Sequence, residues 1–138
     1  MNLQTSTRKD LLYTSDHEWI DFLGTVAYMG LCPFRLTGIG HVQQILFSEN
    51  DGLVRQGAVI ATVVGEKYRV PVHMPMDGKI IRSNDALLLI EQNSVLSDIE
   101  RIRWFSEQWI ALVSPSHPYE RKNFLRAEQY VLHIKRKF

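Results

Sequence analysis

The sequence has one cysteine, Cys32, in 138 residues, which excludes an internal disulfide framework and any multi-cysteine metal site. Long apolar runs are also lacking. The longest, such as residues 86–90, have only five residues, so we expect no helix that spans a membrane. Residues 1–10 lack the apolar stretch of a secretory signal. We therefore expect a cytoplasmic protein that does not associate with membranes.

An excess of charge of one sign is lacking too. Sixteen Lys and Arg residues face fifteen Asp and Glu residues, so the formal net charge is +1. This balance gives no indication of a basic surface that binds nucleic acid. In contrast, 45% of the residues are hydrophobic and three are tryptophans, which favours a folded globular chain. The length predicts a single domain over residues 1–138, with residues 1–11 as a loose N-terminal segment.

Short segments rich in β-branched and aromatic residues alternate with turn signals, which predicts a mainly β fold. The predicted strands cover residues 18–22, 25–29, 44–48, 59–64, 68–73, 79–82 and 109–113. A turn at Gly24 joins the first two strands, and a turn at residues 65–67 joins the fourth and fifth. Pro71 indicates an edge strand, because proline cannot donate to a sheet ladder. This number of short strands is typical of a small sandwich or barrel.

Helical signals come late in the chain. Val95, Ile99 and Ile102 have the spacing of one helix face within residues 86–105, and Ser94 or Ser97 is suited to cap that helix. Residues 116–137 are predicted to be mostly helical, with Pro118 in the first turn. The apolar face of that C-terminal helix is predicted to consist of Phe124, Leu125, Tyr130, Val131 and Ile134.

Candidate catalytic or metal-binding patterns are weak. The five histidines, at positions 17, 41, 73, 117 and 133, show no ligand spacing. Asp16, His17 and Glu18 are ligand types, but neighbouring strand residues face opposite ways, so we expect no metal site. Cys32 is interpreted as a half-buried structural residue. Because no constellation of acid, base and nucleophile is recognisable, we expect the protein not to be an enzyme.

Lys67 lies at the tip of the predicted hairpin, where a lysine is ordinarily a solubilising charge. Four stretches of sequence around this hairpin and elsewhere nevertheless form a pattern. Residues 13–19 read Tyr-Thr-Ser-Asp-His-Glu-Trp, residues 109–110 read Trp-Ile, and residues 127–130 read Ala-Glu-Gln-Tyr. Lys67 precedes Pro75 by eight residues, and Gly78 follows three residues later. In these features the chain resembles the H-protein of the glycine cleavage system.

The resemblance implies a flattened β-sandwich with flanking α-helices, the barrel-sandwich hybrid fold of biotinyl and lipoyl domains. It implies that lipoic acid is attached covalently to Lys67 by a lipoate-attaching enzyme. The arm so formed would carry an aminomethyl group between glycine decarboxylase (the P-protein), aminomethyltransferase (the T-protein) and dihydrolipoyl dehydrogenase (the L-protein). It also implies a non-catalytic carrier subunit that is a monomer and docks only transiently.

The hairpin departs from the pattern usual in this family. Val64 stands where a carboxylate is usual, and Tyr68 stands beside the lysine where an alanine is usual. Restoring Glu at 64 and Ala at 68 is therefore expected to raise the rate of lipoylation. The stretch 84–109 is also longer than usual and lacks the family's glycine-containing turn before Trp109. An alternative hypothesis follows, in which the chain is a divergent, unlipoylated H-like protein that serves as a binding or scaffold module.

Overall fold

The computed structural model describes residues 10–92, 96–117 and 123–136. Within these ranges the fold is mainly β, with short helical segments placed mostly late in the chain. The strands are β1 (Leu12–Tyr13), β2 (Glu18–Leu23), β3 (Val26–Leu31), β4 (Val42–Phe47), β5 (Val59–Gly65), β6 (Arg69–His73), β7 (Gly78–Ser83) and β8 (Trp109–Pro115). The helices are two 3-10 helices, Pro33–Leu36 and Asp85–Gln92, and two α-helices, α1 (Asp98–Glu107) and α2 (Ala127–Lys135).

The strands form two antiparallel sheets that share one hydrophobic core. The first sheet has the order β1-β2-β3-β8-β7 and the second has the order β4-β5-β6. Ile20 and Met29 of the first sheet and Val63 and Val70 of the second are buried in the same cluster. The two sheets therefore pack on each other as a β-sandwich, and the predicted fold class is confirmed.

Local turn chemistry accounts for the hairpins. Gly24 has a φ of +64° between β2 and β3, a value that costs glycine little because it has no Cβ. Among the strands that the structure describes, β6 pairs with β5 alone, so Pro71 lies on an edge strand as predicted. Pro33 begins the first of the two 3-10 helices, where its missing N–H is tolerated.

The predicted face of the helix within residues 86–105 is confirmed for Ile102, which packs against the main core, and wrong for Ile99. Residues 85–92 form a 3-10 helix, α1 begins only at Asp98, and Val95 lies outside the described residues. Ile99 is 72% exposed, whereas Arg101 and Phe105 are buried. The Nη1 atom of Arg101 donates a hydrogen bond to the backbone carbonyl of Ile90, so the inward face carries a cation that a hydrophobic pattern assigns to solvent. The proposed cap Ser97 is confirmed, because its side chain accepts a hydrogen bond from the backbone N–H of Glu100.

The predicted C-terminal helix is too long. α2 covers only Ala127–Lys135, and Pro118 lies outside the described residues. Leu125 instead bonds to Tyr13 in both directions, with N–O distances of 2.7 and 2.8 Å. This backbone pairing holds the chain extended just before α2, so Leu125 and its neighbour Phe124 belong to the connection and not to the helix.

A second, smaller cluster lies beside the main core and contains Trp19, Cys32 and Tyr130. The indole of Trp19 lies across Gly30 of β3, and a Cβ at position 30 would overlap with its ring atoms. The Nε1 atom of Trp19 donates to the carbonyl of Ser106 at 3.2 Å. The cluster therefore joins β2, β3, the end of α1 and α2. No helix within the described ranges has the length and hydropathy needed to cross a membrane.

Trp19→Ala is expected to lower the free energy of unfolding by about 3–5 kcal/mol, because it removes a buried indole and its hydrogen bond. Trp109 is only partly buried, so Trp109→Ala is expected to cost roughly 1–2 kcal/mol. Urea denaturation of the two variants measures both values. Equal losses of unfolding free energy in the two variants would contradict the difference in burial between Trp19 and Trp109.

Cys32 is expected to resist alkylation in the folded protein. Burial raises the pKa of its thiol from the ordinary 9.0 to about 11, and the thiolate is the form that reacts. This shift alone lowers the thiolate fraction at pH 8 by about a hundredfold relative to an exposed thiol. Mass spectrometry after iodoacetamide treatment, with and without urea, tests this. Rapid labelling without urea would show that the thiol is accessible.

Candidate functional site

Lys67 is exposed at the turn between β5 and β6, the position that the sequence predicts for it. The turn is closed by a hydrogen bond from the backbone N–H of Gly65 to the carbonyl of Tyr68, at 3.0 Å. The register on either side pairs Val64 with Arg69. The side chain of Lys67 therefore projects from the end of a paired hairpin, where its amine is accessible to another protein.

A neighbouring loop holds the tip of this hairpin. The backbone N–H of Glu66 donates to the carbonyl of His41 at 2.8 Å, and the N–H of Lys67 donates to the carbonyl of Ile39 at 3.1 Å. Gly65 permits this approach, because a Cβ there would overlap with the buried side chain of Ile39. We call the turn residues 65–68 together with the loop residues 37–41 the lysine platform.

Tyr68 contributes a side-chain anchor to the lysine platform. Its hydroxyl donates to the carbonyl of Thr37 at 2.5 Å, and the carbonyl of Arg35 lies 3.5 Å away. The ring is partly buried and packs against the main core. The aromatic residue at a position where the family usually has alanine thus fastens the hairpin to the segment that follows Leu36.

Val64 and Glu66 of the hairpin lie in different surroundings. Val64 is buried, with 6% of its surface exposed, so the position where the family usually has an acid points into the protein. Glu66 is exposed, and its Oε1 atom accepts a hydrogen bond from the backbone N–H of His41 at 3.4 Å. Glu66 is therefore engaged with the platform loop and does not take the place of an acid at position 64.

The lysine platform contacts α1, the helix that precedes β8. Nδ1 of His41 lies 3.0 Å from Oδ1 of Asp98 in the first turn of α1. Asp98 is the first residue of α1, which is capped by Ser97 and lies within the stretch 84–109. Its contact with His41 joins this helix to the loop that supports Lys67.

An open groove of about 430 Å³ lies beside the hairpin. It is lined by Ser15, Asp16, His17, Phe34, Arg35, Thr37 and Tyr68. Tyr68, the residue that follows Lys67 in the chain, forms one wall of the groove. The lining combines aromatic rings with polar and charged side chains, so the groove presents both apolar and polar surface.

The opening motif and the last helix, which carry two parts of the family resemblance, are in direct contact. His17, with a φ of +68°, is buried, and its Nδ1 atom lies 3.0 Å from the hydroxyl of Tyr130. Tyr130 also stacks on Tyr13, with ring centroids 4.5 Å apart. Burial raises the pKa of both Tyr13 and Tyr130, so both phenols stay protonated at neutral pH. These residues join the two ends of the described chain and have a structural role.

Cys32 has the structural role that the sequence predicts, although it is buried and not half-buried. Desolvation raises the pKa of its thiol, and the hydroxyl of Tyr130 is a nearby partner that acts in the opposite direction. A protonated, buried thiol is a poor nucleophile. The residue therefore offers no catalytic centre.

The histidines show no ligand spacing along the sequence, but the fold brings His73 close to two carboxylates. Its Nδ1 atom is 3.3 Å from Oε2 of Glu18 and 3.8 Å from Oδ2 of Asp16. Asp16 and Glu18 are two residues apart and face the same way, while His17 between them turns to Tyr130. Sequence spacing gives no signal for this cluster, because β6 brings His73 to the start of β2 from 55 residues away.

Desolvation by burial raises the pKa of Glu18 above its ordinary value, although a hydrogen bond from the backbone N–H of His73 opposes that rise. Besides His17, two other histidines also have partners outside this cluster. His41 contacts Asp98, and Nε2 of His133 lies 3.0 Å from the carbonyl of Ser15.

Comparison with known proteins agrees with this architecture. The family model described as glycine cleavage H-protein matches residues 11–137. A probable glycine cleavage system H protein of Aeropyrum pernix is 28% identical over 130 residues, which are 94% of this chain and 87% of that protein. A glycine cleavage system H protein of Bradyrhizobium diazoefficiens is 33% identical over 100 residues, which are 72% of this chain and 81% of that protein.

A crystal structure of a glycine cleavage system H protein from Mycobacterium marinum has the same fold. It matches with a TM-score of 0.70 at 23% sequence identity, covering 91% of this chain and 97% of that chain. The family match extends from the first described strand to the end of the last helix, and it includes the hairpin that bears Lys67. The chain therefore belongs to the glycine cleavage H-protein family.

Proposed function

We propose that the protein is a lipoyl carrier of the glycine cleavage system, with lipoic acid attached to Lys67. The observation that carries this proposal is the placement of one exposed lysine on a hairpin tip that the lysine platform holds in place. In the attachment step the Nζ atom attacks an activated lipoyl carboxyl group, an amide bond forms, the activating group leaves, and the nitrogen loses a proton. The ligating enzyme supplies the activated acid.

The amide changes the physical character of the side chain. The charge of the ammonium group is lost, so the arm enters apolar clefts without the cost of desolvating an ion. The flexible methylene stem of lysine supplies reach. The paired hairpin beneath it stays fixed through the backbone hydrogen bonds to residues 39 and 41. A mobile arm on a rigid base is the arrangement that a group carrier requires.

The role of the protein is delivery of a reactive group. Tethering the dithiol to a docked carrier raises its effective concentration at the partner's active site. The partners in this proposal are glycine decarboxylase, aminomethyltransferase and dihydrolipoyl dehydrogenase, which load the aminomethyl group, remove it and reoxidise the arm. The carrier itself contributes no catalytic group, and its own residues position the arm. In this proposal the groove lined by Tyr68 offers a surface on which the arm rests between transfers.

Intact-mass spectrometry after co-expression with a lipoate ligase tests the attachment. The unmodified chain is expected to gain one lipoyl group, and Lys67→Ala is expected to gain none. Lys79→Ala is the matched control, because Lys79 is also exposed but lies within β7 and not at a turn. Lys79→Ala is expected to be modified as fully as the parent chain.

An ordinary member of the family, modified in parallel, verifies that the ligase is active. If that control protein is lipoylated and the present chain is not, the carrier proposal is wrong. The binding or scaffold hypothesis then takes its place. Modification that persists in Lys67→Ala would show that a different lysine carries the group.

Tyr68→Ala is expected to raise the rate of lipoylation several-fold, because it removes a ring beside the lysine. Tyr68→Phe keeps the ring but loses the hydrogen bond to Thr37, so its rate is expected to match that of the parent chain. The change Val64→Glu is left out of this test, since it places a carboxylate at a buried position at a large cost in stability. Rates of lipoyl transfer in vitro, measured at temperatures where all variants remain folded, provide the comparison. Equal rates for the Ala and Phe variants would show that the ring does not limit access.

A further inference from the structure

We propose that Asp16, Glu18 and His73 bind a divalent transition-metal ion of the zinc type. Glu18 is the first residue of β2, Asp16 lies two residues before it, and His73 ends β6. One ligand atom from each of the three residues lies within 4.8 Å of the other two. The site is separate from the amine of Lys67 and does not depend on its lipoylation.

The spacing of the ligand atoms agrees with a shared ion. Two ligands bound to one tetrahedral zinc ion at about 2.0–2.2 Å lie roughly 3.4 Å apart. Nδ1 of His73 is 3.3 Å from Oε2 of Glu18 and 3.8 Å from Oδ2 of Asp16. A small shift of the Asp16 side chain is sufficient to complete the geometry. The side chain is able to move because 63% of it is exposed to solvent.

His73 provides the strongest single observation. Its Nδ1 atom is shielded from solvent and has no hydrogen-bond partner in the part of the chain that the structure describes. A buried polar atom without a partner is costly and rare in folded proteins. The carboxylate oxygen of Glu18 is close but lacks the alignment of a hydrogen bond. An ion between the imidazole and the two carboxylates satisfies all three groups at once.

Glu18 is held in place before any ion arrives. Oγ1 of Thr14 donates to Oε1 of Glu18 at 3.1 Å, and the backbone N–H of His73 donates to Oε2 at 2.7 Å. The residue is 1% exposed, so its carboxylate is fixed in a nearly dry environment. Hydrogen bonds that orient a ligand in this way are typical of metal sites.

The ligand types decide the class of metal. One imidazole with two carboxylates suits zinc and its first-row neighbours, whereas magnesium and calcium prefer oxygen ligands only. Three protein ligands leave a position for water or another group, as in zinc sites that are not purely structural. Asp16 also lines the groove beside Tyr68, so the site adjoins the surface next to the lysine.

Isothermal titration calorimetry with zinc chloride tests this site in the full chain, free of any histidine tag and in a buffer that does not chelate metals. One zinc ion is expected to bind per chain with a dissociation constant in the micromolar range. Asp16→Asn and His73→Ala are each expected to weaken binding at least tenfold. Asp16→Asn is the informative variant, because residue 16 is exposed and its change leaves the core intact.

His41→Ala is the matched control, since His41 pairs with a carboxylate but is not part of the cluster. It is expected to bind zinc as the parent chain does. Replacement of zinc by cobalt(II) is expected to produce visible absorption typical of low coordination number, and this absorption is expected to disappear in Asp16→Asn. Magnesium in millimolar excess is expected not to displace the ion.

Three results would each overturn the proposal. The first is no heat of zinc binding to the folded parent chain. The second is equal binding by the parent, Asp16→Asn and His73→Ala, which would place the ion elsewhere. The third is loss of binding in His41→Ala, which would point to an unspecific surface histidine. In the first case the cluster is an ion pair between His73 and Glu18.

Discussion

Two backbone hydrogen bonds determine what the hairpin of Lys67 can do. A two-stranded hairpin is marginally stable on its own, and an exposed loop tip has few contacts that hold its backbone. Here the N–H groups of Glu66 and Lys67 are bonded to the carbonyls of His41 and Ile39, and the three-stranded sheet supports both strands. The backbone of the lysine is thereby fixed in a loop position that would otherwise be mobile. Only the side chain keeps its freedom.

The rest of the platform follows from that constraint. The close approach of the two loops requires Gly65, because any side chain there would displace Ile39 from the core. Tyr68 adds a hydrogen bond to Thr37, and His41 extends the contact to Asp98 of α1. The tyrosine at position 68 thus has a physical role, because it fastens the turn to the neighbouring loop, and α1 in turn contacts that loop.

Local signals predict most of the fold. Turn residues such as Gly24, the proline in an edge strand and the cap at Ser97 act over a few residues, so the sequence shows them directly. The errors lie where distant contacts decide. Arg101 is buried because a carbonyl of the preceding 3-10 helix accepts its hydrogen bond, and Leu125 is extended because Tyr13 pairs with it. Neither partner is visible in local periodicity.

The positions that we propose to be functional divide in the same way. The position of Lys67 follows from a hairpin signal and from its intervals to Pro75 and Gly78 in the sequence. The cluster of Asp16, Glu18 and His73 has no such interval, since it arises where β2 and β6 come together in space. The structural contact between His17 and Tyr130 joins the opening motif to the last helix and explains why these two short patterns occur in one chain.

Pro71 affects how this protein can associate with other chains. Among the strands that the structure describes, β6 has β5 as its one neighbour, and its other side is an edge of the three-stranded sheet. Such borders invite a second chain to add a strand and so begin aggregation, and proline is one of the residues that natural proteins place there to prevent it. A chain that presents Lys67 in the turn just before this strand is thus hindered from pairing edge to edge with its own copies.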